Sequence, residues 1–341
     1  AFPKDCPNKD CRATNGHLRD GEPIFYLLDT KTNDIVSIGR AQMFRLPYKN
    51  STKEFIPKEL KSEDELDLSE AIFGTVKKKG KKSIKGRLFF EDAEWKNKEI
   101  TSPFFDSQNN GRRIPKILSS PKPTAFQHYL VQPDIQDKKH YNSKPGYTVI
   151  PGHKLYWQKS SIDNSKIYEK DSDVRIKQDE TGVEQSYMEN GVKVWRESTQ
   201  HTIIRPVRKD VEFASRIHFE NLSDIELGAL LTALQLPDTM RHTLGMGKPL
   251  GMGSVKITAT LQVSDRKKRY ETFSFMSDEE KSTEDTQKIE KTAKEGFRDE
   301  ILKHDGVVNG LKDLWSIPRL KKLAVLLEWK KPPGATQTRY V

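Results

Sequence analysis

The stretch His-Thr-Leu-Gly-Met-Gly-Lys-Pro-Leu-Gly-Met-Gly-Ser-Val-Lys-Ile, residues 242–257, carries the most information about the fold. It places four glycines around Lys248 and Pro249: Gly245, Gly247, Gly251 and Gly253. Because glycine has no Cβ and tolerates positive φ, the backbone here can approach another backbone or a phosphate closely. Successive exposed amides in such a loop form a concavity that binds anions. We therefore predict an anion-binding glycine-rich loop at 244–254.

A helix is predicted before this loop and a strand after it. Ser223 and Glu226 have the spacing of a capping box, and leucines then recur at helical spacing until Pro237. Alternating apolar and polar residues predict a strand over 255–263 and another over 211–219. The predicted order is strand, helix, glycine-rich loop, strand.

This order argues against a dinucleotide or P-loop site. Those sites place their glycines between a strand and the following helix, so that the helix N-terminus faces the phosphates. Here the predicted helix ends before the loop, and Gly245-Met-Gly-Lys248 fits neither the G-x-G-x-x-G nor the G-x-x-x-x-G-K-[ST] pattern. No cofactor is predicted.

The composition favours a polyanionic partner. The 341 residues include 59 Lys and Arg against 49 Asp and Glu, a formal net charge of +10. Such an excess is typical of nucleic-acid-binding proteins, although a soluble basic protein shows it too. The sequence has no apolar run near the ~20 residues that a membrane helix needs and no signal-peptide pattern. We expect no membrane partner.

Four pieces of the sequence, taken in order, resemble RAMP modules, the RNA-binding subunits of CRISPR effector complexes. They are Gly39–Tyr48, Ile72–Gly74 followed by Lys85–Ala93, Pro121–Thr124, and His218–Leu222 with the glycine-rich loop. They are similar to the type III branch, in particular to its large RAMP subunits and the last RAMP module of fused type III-E effectors. The resemblance implies an α+β fold with a ferredoxin-like (RRM-like) core.

The predicted organisation has five segments. Turn signals at Glu180–Gly182 and Asn190-Gly191 predict β-hairpins in the middle of the chain, which in the family form thumbs over the guide–target duplex. The first 22 residues lack the strand and helix that open a RAMP core, so we expect a C-terminal portion of a longer protein. The segments are an irregular N-terminus (1–22), a first core part with a basic loop at 75–87 (23–133), a thumb-like β-hairpin insertion (134–204), a second core part with the glycine-rich loop (205–264), and a C-terminal helical extension (265–341).

The resemblance implies that guide RNA (crRNA) lies along the glycine-rich loop and neighbouring basic side chains, paired with target RNA. Arginine suits this role because its planar fork binds phosphate bidentately. Each arginine taken singly is equally compatible with a solvated position on the surface. The predicted RNA contacts are Gly39, Arg40, Arg45, Lys85, Arg87, Arg112, Arg113, His242, Gly245, Gly247, Lys248, Gly251 and Gly253. Other RAMP modules or subunits of an effector complex are the expected protein partners.

Catalysis is left open by the sequence. One possibility is an endoribonuclease that processes repeat RNA, with His242 as the candidate general base. Alternatively, His242 caps the C-terminus of a helix. Family members that cut target RNA use an aspartate on an early loop of the module, in the half that we expect to be missing from this chain. A third possibility is a scaffold that docks protein subunits through the C-terminal helices.

No metal site is predicted. Cys6 and Cys11 are the only cysteines, and a zinc site needs two further ligands. They fit free thiols of a reducing cytosol, and a cytoplasmic location is expected. Related modules carry C-x-x-C directly before the equivalent of Ile72–Gly74. Asp67 and Glu70 stand there in this chain, and these hard oxygen ligands replace the soft thiolates that favour zinc.

Overall fold

The computed structural model describes most of the chain from residue 21 onward. The described residues are 21, 23–42, 48–61, 65–76, 83–97, 99, 102, 104, 111–120, 122, 125–132, 134, 136–150, 155–161, 163–273, 281–304, 313–334, 336 and 337. Cys6, Cys11 and Arg45 lie outside them, as do 77–82 of the predicted basic loop. The chain divides into two compact units, a first unit of residues 1–61, 123–151 and 341 and a second unit of residues 62–122 and 152–340.

Short strands and helices alternate along the described residues. The strands are β1 (Phe25–Leu28), β2 (Ile35–Gly39), β3 (Leu88–Phe90), β4 (Glu94–Trp95), β5 (Val174–Ile176), β6 (Val183–Glu189), β7 (Val192–Ser198), β8 (Phe213–Ala214), β9 (Ile217–Phe219), β10 (His242–Thr243) and β11 (Ser254–Val255). The α-helices are α1 (Leu68–Phe73), α2 (Asn164–Ile167), α3 (Asp224–Leu234), α4 (Arg266–Glu271), α5 (Thr283–His304) and α6 (Pro318–Leu327). The sheets are small and antiparallel, with strand orders β1–β2, β3–β9, β4–β8, β5–β6–β7 and β10–β11. The predicted α+β class is confirmed.

The first unit has its own apolar core. Phe55, Leu130 and Tyr141 are buried, and Phe126 packs against them from a partly exposed position. The Tyr141 ring meets Phe55 edge to face, with 5.9 Å between ring centroids. These contacts join residues far apart in sequence, which fixes the chain path of this unit.

The second unit is built around the packing of α3 on α5. Leu227 and Leu231 of α3 are buried against Ala293 of α5 and against Leu261. The two helices approach backbone to backbone at Gly228, where an added Cβ would lie less than 3.0 Å from the carbonyl oxygen of Ala293. Only a glycine permits this separation.

Helix α3 begins and ends where the sequence predicts. The Ser223 side chain caps the Glu226 amide, and the Glu226 carboxylate accepts from the Ser223 amide at 2.7 Å. The helix ends at Leu234, three residues before Pro237, which stops the pattern.

The predicted strand over 255–263 is wrong beyond Val255. Only Ser254–Val255 pairs in a sheet, and residues 256–263 form no strand. Leu261 is buried in the α3–α5 core, and Val263 packs against it. The alternation therefore reflects burial of one side of the chain, which a sequence pattern does not distinguish from a β-ladder.

The predicted β-hairpin is present as β6 and β7. Its turn has positive φ at both central residues, 50° at Asn190 and 79° at Gly191, as a two-residue type I′ hairpin requires. Strand β5 adds to the β6 edge. The base of this sheet is buried around Val174 and Val183, with Ile114.

Other elements differ from expectation in extent. The strand expected over 211–219 is split into β8 and β9, and a 3-10 turn at Lys58–Leu60 precedes the short α1. The two C-terminal helices are present as α5 and α6, whereas α4 was not predicted. The first unit takes residues 134–151 of the predicted insertion and the second unit takes 152–204. The five segments remain a prediction.

Candidate nucleic-acid interface

The glycine-rich loop closes a small β-hairpin. His242 pairs with Val255 and Thr243 with Ser254, and the next amide, of Leu244, donates to the Gly253 carbonyl at 2.8 Å. A 3-10 turn at Lys248–Leu250 lies inside the loop. The glycines all have positive φ: 81° at Gly245, 72° at Gly247, 91° at Gly251 and 81° at Gly253. The loop conformation therefore depends on glycine, as predicted.

Four successive amides of this loop are available to a ligand. In the described part of the chain, the amides of residues 245–248 have no hydrogen-bond acceptor. The sign of φ alternates along them, positive at Gly245 and Gly247 and negative at Met246 and Lys248. Such alternation turns successive amides toward one side and forms an anion-binding nest. Residues 244–246 are exposed, so this side of the loop is open.

Lys248 adds a positive charge to the same loop. Its Nζ donates to the Gly245 carbonyl at 2.6 Å, which holds the ammonium beside the nest. A phosphate at the amides would be within reach of this side chain. The loop thus combines backbone donors with one positively charged side chain.

Gln158 fixes both strands of the hairpin from outside it. The side chain is 3% exposed, and its Nε2 donates to the Arg241 carbonyl at 2.8 Å and to Thr243 Oγ1 at 2.9 Å. Ser254 Oγ donates to Gln158 Oε1 at 2.7 Å. The next residue, Lys159, donates from Nζ to the Pro249 carbonyl at 3.1 Å. Gln158 is not predicted from the sequence, because an isolated glutamine in a polar segment carries no signal of its long-range partners.

We expect Gln158→Ala to loosen the hairpin. The substitution leaves buried polar groups on both strands without a partner, at a cost of about 1–3 kcal/mol. Urea unfolding followed by circular dichroism measures this loss, and faster hydrogen exchange of the Leu244 amide locates it in the loop. Lys159→Gln is the control and should change stability by less than about 0.5 kcal/mol, because its contact is exposed. Unchanged exchange in Gln158→Ala would contradict the clamp.

The C-terminal helix borders the entrance of the hairpin. The Arg241 amide donates to the Leu327 carbonyl at 2.9 Å, and the Trp329 amide donates to the Thr239 carbonyl at 2.7 Å. These bonds flank a β-bridge between Met240 and Glu328. The segment leading into β10 is therefore paired with the end of α6.

His242 is a strand residue whose Nε2 is enclosed. It opens β10, and α3 has already ended at Leu234, so His242 caps no helix. Its Nε2 is buried without a hydrogen-bond partner among the described residues. A general base must reach the proton that it removes. This geometry gives the endoribonuclease alternative no support.

The guanidinium of Arg87 is used inside the fold. Nε and Nη2 donate to the Ala71 carbonyl at 3.1 and 2.8 Å, and Nη1 donates to the Asn221 carbonyl. Nη2 also forms an ion pair with Glu226. Arg87 thus joins the end of α1, the start of β3 and the capped end of α3, a structural role that the sequence analysis did not predict.

The remaining predicted contacts lie at three places. Lys85 precedes β3, with its Nζ 5.4 Å from the Phe89 ring centroid. Arg112 forms an ion pair with Glu180, and Arg113 pairs through its backbone with Ile204. Gly39 ends β2 and Arg40 follows it in the first unit, whereas the other described contacts belong to the second unit. The hairpin brings together His242, Gly245, Gly247, Lys248, Gly251 and Gly253.

Asp67 and Glu70 have structural partners. Asp67 caps α1 by accepting from the Glu70 amide at 2.7 Å, and Glu70 accepts from Thr75 Oγ1 at 3.0 Å. Across the described residues, no group of three or more His, Cys, Asp or Glu side chains has the geometry to hold a metal ion. In the same residues, no helix combines the length and the apolar character that a membrane crossing requires.

Comparison with known proteins gives one family. A family model described as the RAMP superfamily matches residues 44–256. The matched span includes β3 to β11 and the whole glycine hairpin, and it ends before α4. The comparison with curated proteins finds no match.

Proposed function

This chain belongs to the RAMP superfamily, and from this premise we propose that it is a guide-RNA (crRNA) binding module of a type III CRISPR effector. The effector would act in antiviral defence by RNA-guided targeting of RNA. Membership of the family supports a CRISPR-associated, RNA-binding function and assembly with other subunits. The guide RNA, the type III branch and a C-terminal position within a larger protein belong to the proposal.

The run of unpaired amides at 245–248 carries the proposal. Backbone amides bind phosphate oxygens whatever base is attached, which suits a protein that leaves sequence reading to base pairing. The nest lies in an exposed loop beside Lys248, on a chain with net charge +10. A ribose-phosphate strand is the ligand that matches both the amides and the charge.

Further contacts along the RNA are proposed at the basic side chains outside the hairpin. Arg40, Arg45, Lys85, Arg112 and Arg113 remain candidates for phosphate contact. We assign Arg87 a supporting role instead, because its donors are already engaged by Ala71, Asn221 and Glu226.

We also propose that the β6–β7 hairpin is the thumb that contacts the guide–target duplex. Its end carries large apolar side chains in water, with Met188 69% and Val192 62% exposed. Apolar side chains as exposed as these become buried only when another molecule packs against them. The flat face of an unstacked base pair is a suitable partner.

The dependence of RNA affinity on salt tests the proposed function. If about five basic side chains contact phosphates of a single strand, the logarithm of the association constant falls against that of salt concentration with a slope of about −3.5. Fluorescence anisotropy of a labelled single-stranded RNA with the full chain measures it. A slope near zero would contradict binding through phosphates.

A matched pair of glycine variants tests the nest itself. An added Cβ at Gly253 would lie less than 3.0 Å from the Leu244 carbonyl oxygen, whereas one at Gly245 meets nothing within 4 Å. Both residues have φ near 81°, so both variants carry the strain of a left-handed alanine. We expect Gly253→Ala to open the loop and weaken RNA binding by more than about tenfold, and Gly245→Ala to have the smaller effect. Equal effects would show that loop closure does not matter for binding.

A further inference from the structure

Helix α4 presents a basic and aromatic surface beyond the residues that the family model matches. Its sequence, Arg266-Lys-Lys-Arg-Tyr-Glu271, is capped by Asp265, whose Oδ1 accepts from the Lys268 amide at 3.1 Å. The matched residues end at 256, so nothing in the comparison assigns this helix.

The aromatic side of α4 is exposed. Residues three and four apart share a side of a helix, so Arg266, Arg269 and Tyr270 lie together, whereas Lys268, two residues from both Arg266 and Tyr270, lies on the opposite side. Tyr270 is 65% exposed. Among the described residues, the side chain of Arg266 has no hydrogen-bond or ion-pair partner. We call Arg266, Arg269 and Tyr270 the α4 face.

We propose that the α4 face is a second contact for single-stranded RNA, binding the nucleotides next to those held at the glycine hairpin. This inference rests on the proposed RNA binding at the hairpin. Exposed aromatic rings stack on unpaired bases, and arginines bind phosphates or stack on bases. An acidic protein segment would satisfy the charges but not the ring, and an RNA duplex buries its base faces. Single-stranded RNA satisfies both features.

The two contacts are held at a fixed spacing. Residues 256–265 connect β11 to α4, and ten residues span at most about 36 Å. The connection is anchored on the α3–α5 core, since Leu261 is buried there and Gln235 Nε2 donates to the Ala259 carbonyl at 2.9 Å. The Val263 carbonyl accepts from the Lys281 amide at 2.9 Å. Only an RNA long enough to span this distance can use both contacts.

RNA length and the Tyr270 ring test the proposal together. Anisotropy is measured on the full chain with labelled oligouridylates of about 6 and about 20 nucleotides. We expect Tyr270→Ala to weaken binding of the longer RNA about tenfold and to leave binding of the shorter one unchanged. Tyr270→Phe keeps the ring and should bind both like the wild type. Because Tyr270 is exposed, thermal unfolding of these variants should match the wild type.

A matched pair of charge variants separates a site from general attraction. Arg266→Gln and Lys268→Gln remove the same charge from opposite sides of one helix. We expect Arg266→Gln to weaken binding of the longer RNA more than Lys268→Gln does, whereas equal losses would overturn the proposal. Oligoglutamate provides charge without bases. If it displaces the longer RNA as effectively as unlabelled oligouridylate does, the surface fits an acidic protein segment and the proposal fails.

The outcomes distinguish this inference from the proposed function. If the wild type binds the short RNA in a Gly253-dependent way and Tyr270→Ala leaves the long RNA unaffected, the second contact is overturned while binding at the hairpin is retained. If the wild type binds neither RNA, the proposed function is overturned and this inference with it.

Discussion

Replacing Gly228 by valine is expected to lower the free energy of unfolding by about 3 kcal/mol or more. The new Cβ would lie less than 3.0 Å from the carbonyl group of Ala293 and 2.8 Å from the Cβ of Phe297. The carbonyl belongs to the backbone of α5 and cannot rotate away as the end of a side chain can. The helices must separate, and the packing of Leu227 and Leu231 is lost with them. Urea unfolding followed by circular dichroism measures the change.

Gly296 in α5 provides the control for this substitution. An added Cβ there meets nothing within 4 Å. Alanine in place of a helical glycine, where space permits, stabilises by about 0.5–1 kcal/mol because the unfolded chain has less freedom to lose. We expect Gly296→Ala to unfold at equal or higher urea concentration than the wild type. A wild-type midpoint in Gly228→Val would contradict the close approach of α3 and α5.

The second large effect is expected for Arg87→Gln, at about 3 kcal/mol of lost stability. The Glu226 side chain is 13% exposed, so removing its cation leaves a carboxylate largely out of water without its partner. The carbonyls of Ala71 and Asn221 lose their donors as well. Lys85→Gln is the neighbouring control and should shift stability by less than about 0.5 kcal/mol.

The pH dependence of this loss identifies its cause. Partial burial raises the pKa of Glu226, but the hydrogen bonds from Arg87 and Ser223 outweigh burial and hold that pKa below its ordinary value. A carboxyl with a depressed folded pKa stabilises the fold above its unfolded pKa, and this contribution is lost as pH falls through the folded pKa. Without Arg87 the folded pKa of Glu226 rises. The penalty of Arg87→Gln should therefore be full near pH 7 and shrink below about pH 4.

Two results would contradict this account of Arg87. A penalty of the same size at both pH values would show that the ion pair is not its source. Unchanged stability together with weaker RNA binding would place Arg87 on the RNA, as the sequence analysis predicted.

Local signals explain which parts of the fold the sequence could predict. The capping box of Ser223 and Glu226, the Asn190-Gly191 turn and the glycine-rich loop are each determined by residues within a few positions of one another. The interactions that determine these three features lie within a short stretch of sequence, and all three features are present in the structure.

Long-range partners explain what the sequence could not predict. Arg87 meets Glu226 across 139 residues, and Gln158 reaches Thr243 and Ser254 across 85 and 96. Nothing near Arg87 in sequence distinguishes a guanidinium that binds carbonyls from one that binds phosphates. The α4 face was missed for a related reason, since a short run of basic residues is usually only a solvated surface.

The pairing of residues 239–241 with 327–329 couples two distant regions of the chain. The strand that leads into the glycine-rich loop, β10 with the residues before it, is bonded both to Gln158 and to the end of α6. A movement of α6 that breaks these hydrogen bonds would release that strand. The amides at 245–248 would then lose part of the support for their alignment. The order of the glycine-rich loop therefore depends on α6 as well as on Gln158.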